Sequence, residues 1–270
     1  MGEIASRSPE TKRVLVTGGA LRLGAAICRA FAAAGWEVIC QYRTHGADAM
    51  ALCDELHAAG HPAFAYEADI GTEAARVGMI EAITAQHGPL SCVVNNASLF
   101  DPDTGLDFQP EAALEQLNLN LIAPLSLARL LARSAKAGDG LDRCAIHILD
   151  QKVYNLNPDY FSYTVSKLAL ERSVALQAQA LAPIVRVCGV APGLMFVSGP
   201  QTEGNFAKAA QANLMRRATD PADVARSCVF LAGTPSVTGT TLCVDNGQHL
   251  VPLPRDIMFV VDDLLKDSTS

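Results

Sequence analysis

Thr17-Gly18-Gly19-Ala20-Leu21-Arg22-Leu23-Gly24 follows the short apolar run Arg13-Val14-Leu15-Val16 and opens a stretch, 23–34, whose apolar residues recur at helical spacing. A glycine-rich turn between strand and helix lets the backbone double back and carries main-chain amides to a helix amino terminus, where an anion is favoured. A glycine-rich turn alone says little. Placed between a first strand and a first helix, the glycines at 18, 19 and 24 read as a cradle for the pyrophosphate of a dinucleotide.

Outward from this turn the same alternation repeats. Apolar runs near 37–42, 63–67, 91–95, 144–150, 184–190 and 241–244 join the one at 13–17 as strands, and amphipathic stretches near 47–59, 72–86, 110–135, 161–182 and 221–232 join 23–34 as helices. Asp220 and Pro221 supply an N-cap and a first helical residue for the last of these. Right-handed crossovers then give an α/β fold, a doubly wound parallel sheet of about seven strands with helices on both faces and a crevice at the carboxyl ends of the strands. With no repeat or linker, the chain divides into a flexible tail at 1–12, one domain at 13–249 and an extension at 250–270. Segment 191–206, with Pro192, Gly193, Ser198, Gly199, Pro200 and Gly204, reads as a mobile lid before a short helix. Its Leu194, Met195, Phe196 and Val197 suit an apolar ligand or ordinary core anchoring equally well.

A chain of 270 residues with 50% hydrophobic residues can bury a core and a cofactor in one domain. Its net charge of −7 without a basic block argues against nucleic acid or an anionic membrane and for small-molecule partners. The polar opening segment and the lack of a spanning apolar run lead us to expect a cytoplasmic protein. The eight cysteines are scattered, without Cys-x-x-Cys or histidines at metal spacing, so reduced thiols and no metal site are expected.

A second constellation lies further on. Tyr163 and Lys167 are four apart on a predicted helix, so an ammonium sits one turn from a phenol and can lower its pKa. Asp150 ends the run Cys144-Ala145-Ile146-His147-Ile148-Leu149, at the crevice if that run is a parallel strand. His147, inside the run, reads as a core residue; Tyr154 and Tyr160 are left outside the chemistry.

Together these motifs resemble the short-chain dehydrogenase/reductase family, whose Thr-Gly-x-x-x-Gly-x-Gly, Asn-Asn-Ala-Gly and Tyr-x-x-x-Lys are matched by Thr17–Gly24, by Asn95-Asn96-Ala97-Ser98 and by Tyr163 to Lys167. Further matches are Gln41-Tyr42-Arg43-Thr44-His45, Asp69, Asn120-Leu121-Ile122-Ala123-Pro124, Ala191-Pro192-Gly193, Val237-Thr238-Gly239 and Val244-Asp245-Asn246-Gly247, so the likeness runs from about Lys12 to His249. Two family glycines are replaced, by Arg22 and Ser98, and both replacements resemble the pteridine reductase branch, including dihydromonapterin reductases.

The resemblance implies a Rossmann-type fold, a homotetramer and NADP(H), bound by Gly18, Arg22, Leu23, Gly24, Arg43, Asp69, Asn96, Ala97, Ser98, Tyr163, Lys167, Pro192 and Gly193. No acid ends the second strand to accept the 2′-hydroxyl of an NAD ribose, whereas Arg22 and Arg43 can meet a 2′-phosphate. It also implies Tyr163 as proton donor, Lys167 as its tuner and Asn120 as support for a lysine–water relay. Asp150 stands where the family has a serine, and Ser162, adjacent to Tyr163, cannot replace it. A carboxylate would repel the oxyanion of a ketone but can pass a proton to a ring nitrogen, so C=N is favoured over C=O. Phe100, with a flat face two positions past Ser98, is expected to sandwich a pterin, aided by Arg22, Ser98, Asp150, Tyr163 and Leu194. The expected substrate is thus a pterin or folate. A carbonyl reductase for 3-oxoacyl or other ketones, and a non-catalytic NADP(H)-binding sensor, are the other readings. The apolar tail from Leu250 is expected at a subunit contact.

Overall fold

The computed structural model describes residues 11–136, 139–199 and 201–261, so most of the expected tail (1–10), Pro200 of the lid and the end of the extension (262–270) lie outside the described residues. Seven strands, β1 (Arg13–Val16), β2 (Glu37–Tyr42), β3 (Ala63–Glu67), β4 (Cys92–Asn95), β5 (Arg143–Ile148), β6 (Val185–Pro192) and β7 (Thr241–Val244), form one parallel sheet in the order β3-β2-β1-β4-β5-β6-β7.

The central strands are mostly apolar because both faces are covered, and the polar Asn95 and His147 within them are buried and hydrogen-bonded to each other. Val14 and Val16 point to one core, shared with Ile27 and Phe31 of α1 (Arg22–Ala33), Leu52 of α2 (Gly46–Ala58) and Leu231 of α8 (Pro221–Gly233). Leu15, between them, points to the other, against Ile83 of α3 (Glu73–His87), Leu127 of α5 (Ala123–Arg133) and Leu170 of α6 (Phe161–Leu181). Alternate residues of one strand thus serve two helical layers, as the two-residue period of a strand requires. Residues buried to 0% exposure, such as Phe31, Leu15 and Ile27, are each worth about 1.5–3 kcal/mol of burial.

The sheet order places the site. The chain runs from β1 outward to β3, then returns to β4 on β1's other side, and the tips of β1 and β4 border the switch point where ligands of such sheets bind. Gly18 follows β1 at φ +59°, and a Cβ there would stand 3.2 Å from the Ala97 backbone beyond β4.

Two differences from the sequence reading have local causes. The predicted helix 110–135 is broken into α4 (Pro110–Leu117), a π turn over Asn118–Ile122, and α5. Pro124 has no N–H for the Asn120 carbonyl, and the Ala123 amide reaches back five residues to Asn118. β5 ends at Ile148, so Asp150 lies past the strand, where it caps a 3-10 turn over Gln151–Val153 by accepting the Lys152 amide at 2.8 Å. Up to Val261 the tail also packs on its own chain, Ile257 and Val261 against Ala209 of α7 (Glu203–Ala209) and Leu194.

Among the described residues no helix is long and apolar enough to cross a membrane, and no cluster could hold a metal. All eight cysteines are free, and only Cys243 is exposed.

Gly24 is the tightest point of the turn: a Cβ would land on the Gly18 carbonyl and 2.9 Å from the Asn96 amide nitrogen. Gly24→Ala should destabilise the protein by about 1–3 kcal/mol, seen as a lower urea midpoint with an unchanged m-value.

Candidate functional site

A cleft of about 580 Å³ crosses the carboxyl edge of the sheet, lined from Gly18, Arg43 and Asp69 at one end to Asp150, Tyr163, Leu194 and Met258 at the other. All the expected site residues except Asn120 line it.

At the first end, the threonine hydroxyl of Thr17 accepts the amides of Asn96 at 2.9 Å and Ala97 at 3.1 Å, while the Asn96 side chain donates to the carbonyls of Thr17 and Gly18, both at 3.0 Å. These bonds clamp the turn to the end of β4. Helix α1 then starts without a side-chain cap and without an acid in its first turn, unlike α3, α7 and α8, which are capped by Thr72, Thr202 and Asp220. Unsatisfied amides facing a cleft, with no competing carboxylate, fit a pyrophosphate. Gly193 fits too, since a Cβ there would meet Thr219 Oγ1 and the Asp245 backbone, both at 2.8 Å.

Arg43, after β2, makes no ion pair or hydrogen bond among the described residues and is available to an anion beside Thr44 and His45. Arg22 does not join it. Held at φ +50°, Arg22 donates to the Val197 carbonyl and lies 5.0 Å over the Phe196 ring, so it ties the lid down instead. To meet the same 2′-phosphate, its guanidinium would have to leave that carbonyl and ring.

At the second end, the Tyr163 hydroxyl donates to Asp150 Oδ2 at 2.9 Å. Lys167 Nζ donates to the Ile148 carbonyl at 2.8 Å and stands 5.6 Å from the centre of the Tyr163 ring. Burial raises the Asp150 carboxyl, opposed by the Lys152 amide, the Tyr163 hydroxyl and the charges of Lys152 and Lys167. Burial likewise pushes the Lys167 ammonium down to about 8, with the Asp150 charge pulling the other way. Tyr163 departs from expectation. Burial first, then the charge and hydrogen bond of Asp150, push the phenol well above its ordinary value, so the acidifying effect of lysine is overridden. His147 is a core residue as read: its ring bonds Asn95 at 3.1 Å and Gln177 at 3.0 Å, and burial lowers its pKa to about 4.

Asn120, fully buried in the π turn, has its side chain saturated. Its oxygen accepts the Leu99 amide at 2.8 Å and the Ser98 hydroxyl at 3.0 Å, and its nitrogen donates to the Leu99 carbonyl at 2.9 Å and the Ser166 hydroxyl at 3.0 Å. The side chain therefore positions the 98–100 segment against α6 and makes no contact with Lys167. That places Phe100 edge-on to Tyr163, centroids 4.6 Å apart at 85°. One face of Phe100 is already covered, because Tyr160 stacks on it at 4.1 Å and 14°. A pterin sandwich is left at most the other face of the ring.

Sequence reading missed Tyr160 and what holds it. Tyr160 starts α6 at φ +55°, with Lys152 Nζ 5.3 Å over its ring and its hydroxyl 3.6 Å from Met258 Sδ. Beside it, Asp159 accepts Arg255 at 2.6–2.9 Å and the Asp256 amide at 2.7 Å. Burial alone would raise Asp159, but Arg255 and that amide hold it below the usual carboxylate range. Lys152 completes the latch, donating to the Asp159 carbonyl at 2.7 Å and to Asp256 at 3.4 Å. Residues 96 positions apart build this wall, and no local pattern in the sequence announces it. Leu194 also belongs to it: besides lining the cleft, it packs with Ile257 and Val261.

Comparison with known proteins agrees with the fold. The family model described as enoyl-(acyl carrier protein) reductase matches residues 19–249. A dihydromonapterin reductase from Citrobacter koseri is 30% identical over 240 residues, which cover 88% of this chain and 96% of that protein. The crystal structure of FolM alternative dihydrofolate reductase 1 from Brucella canis, complexed with NADP, superposes with a TM-score of 0.85 at 31% identity, covering 91% of this chain and 97% of that one. Its counterpart from Brucella suis, also in complex with NADP, gives 0.84 at 32%, covering 88% and 95%.

The carboxylate's hold on the phenol can be read directly. Asp150→Asn keeps an acceptor and removes the charge, so one of the five tyrosines should ionise at lower pH than in the parent protein. Spectrophotometric titration of phenolate absorbance checks it, and superimposable curves would contradict the assignment.

Proposed function

The chain belongs to the short-chain dehydrogenase/reductase family, and from that premise we propose that it uses NADPH to reduce the C=N bond of a dihydropterin or dihydrofolate to the tetrahydro form. The observation that carries this reading is the Tyr163–Asp150 hydrogen bond of 2.9 Å at the cleft wall, where ketone-reducing relatives offer a serine hydroxyl. Bound NADPH would supply the hydride.

The chain's own groups supply the rest. An Asp150 carboxyl with a raised pKa holds its proton more firmly than an ordinary aspartate; once protonated it donates to the Tyr163 oxygen, and the phenol's own proton is then free for a ring nitrogen. The same carboxyl, once ionised, disfavours a developing alkoxide, which weighs against the ketone reading. Lys167 keeps a positive charge beside the phenol at neutral pH, having a pKa of about 8. Phe100, at the cleft wall, offers a planar heterocycle an aromatic ring. The pterin and folate activities named for the similar proteins support the substrate class. Their NADP complexes, together with Arg43 at the end of β2, support the cofactor. The same reading places the enzyme in the cytoplasm as a homotetramer. Exposed Leu114 of α4, with Phe161 and Val165 of α6, provides an apolar face for packing against a second copy.

Steady-state NADPH oxidation with dihydromonapterin, dihydrobiopterin, dihydrofolate and an acetoacetyl thioester tests the reading: turnover is expected with the dihydropterins or dihydrofolate, and turnover of the thioester alone would sink it. Asp150→Asn and Asp150→Ser should each lower kcat for the pterin about 10²–10⁴-fold, the usual worth of general acid catalysis. Because the proton-bearing form of Asp150 acts, rate should fall as pH rises through its raised pKa; a further loss is expected above about pH 8 as Lys167 discharges. Arg43→Ala should weaken NADPH affinity about tenfold or more while leaving NADH affinity unchanged, since only the 2′-phosphate bond is removed.

A further inference from the structure

Gln201 lines the second end of the cleft at 8% exposure, and its side-chain oxygen is buried without a hydrogen-bond partner. Which end of the amide is the oxygen follows from its neighbours. The Met258 carbonyl can only accept, so the Asn205 amide nitrogen faces it, at 2.9 Å. The Asn205 oxygen is thereby turned toward Gln201 and takes its Nε2 at 2.9 Å. Gln201 Oε1 is left as an acceptor with no donor.

The arrangement is anchored at both ends. The Gln201 amide donates to the Ser198 carbonyl at 3.1 Å, and the Thr202 hydroxyl caps α7 by accepting the Asn205 amide at 3.2 Å. At the far end, Met258 Sδ meets Tyr160, which stacks on Phe100, which stands edge-on to Tyr163. One continuous wall therefore joins the unpaired oxygen to the proton-donating phenol. Buried acceptors are nearly always paired, so a rigidly held exception in a cleft marks a missing donor.

We propose that Gln201 is a specificity-determining residue whose carbonyl accepts a hydrogen bond from the amino group on the pyrimidine ring of the substrate. The inference rests on the pterin reading above and adds to it the recognition of the ring's donor edge. Rejection of a ring without that amino group follows, because the oxygen stays unpaired.

The test compares a dihydropterin with its 2-desamino analogue, in the parent enzyme and in Gln201→Leu, with NADPH affinity measured alongside. The parent enzyme should show a KM about tenfold higher for the 2-desamino compound, the scale of one neutral hydrogen bond. Gln201→Leu should raise KM for the dihydropterin by a similar factor, leave kcat and NADPH affinity near those of the parent, and abolish discrimination between the two substrates. Asn205→Leu, which frees the Gln201 amide to rotate, should give a smaller rise. Equal KM values for the two substrates in the parent enzyme overturn the proposal without recourse to any variant. So does an unchanged KM in Gln201→Leu. In either case pterin turnover itself persists and the reading of function stands; absence of pterin turnover in the parent enzyme overturns both.

Discussion

Everything at the second end of the cleft depends on the hydrogen bond between a half-buried carboxyl and a buried phenol. Desolvation disfavours the Asp150 charge and raises its pKa, and Tyr163 is pushed up for the same reason together with the charge and hydrogen bond of Asp150. A serine in place of Asp150 would remove the charge and the hydrogen bond that add to burial in raising the phenol's pKa. With the carboxylate present, the acid of the pair is the aspartate and the phenol becomes a conduit. The lysine, drawn to the Ile148 carbonyl, holds a charge rather than tuning the tyrosine.

The fold's role is to bring four distant stretches to that pair. The parallel sheet delivers Ile148 and Asp150 at one strand end and the Asn96–Phe100 segment at the next. The π turn at Asn118–Ile122 inserts Asn120 between the latter and α6, fixing Phe100 against Tyr163. The C-terminal residues, through Asp159, Arg255 and Met258, set Tyr160 behind Phe100. Each contact removes a freedom that a substrate would otherwise have to restrain on binding.

The sheet and the motif residues were legible from sequence because they rest on short-range rules. Buried parallel strands are mostly apolar, Gly18 and Gly24 mark a turn no side chain fits, and Tyr163 and Lys167 share a helix face by spacing alone. What escaped was long-range or a matter of competition. The break in helix 110–135 required weighing Pro124 against otherwise continuous helical spacing. Arg22 offered a cation, but its target was decided by Phe196 and Val197 more than 170 positions away. The rise in the Tyr163 pKa needed the hydrogen bond to Asp150 as well as the lysine neighbour. Tyr160 and the Asp159–Arg255 pair are joined to the site only through folding, and Gln201 looks like any loop amide until Asn205 and Met258 fix its direction.

The claim on which the account turns is that Asp150 retains its proton at a pH where an ordinary aspartate has lost it. Infrared difference spectroscopy across a pH titration reads this directly through the C=O stretch of a protonated carboxyl. The account predicts a protonated-carboxyl band that persists above the usual aspartate range, shifts in Tyr163→Phe and is missing in Asp150→Asn. A carboxyl that ionises like an exposed aspartate, with the same spectrum in the parent protein and in Tyr163→Phe, would contradict it.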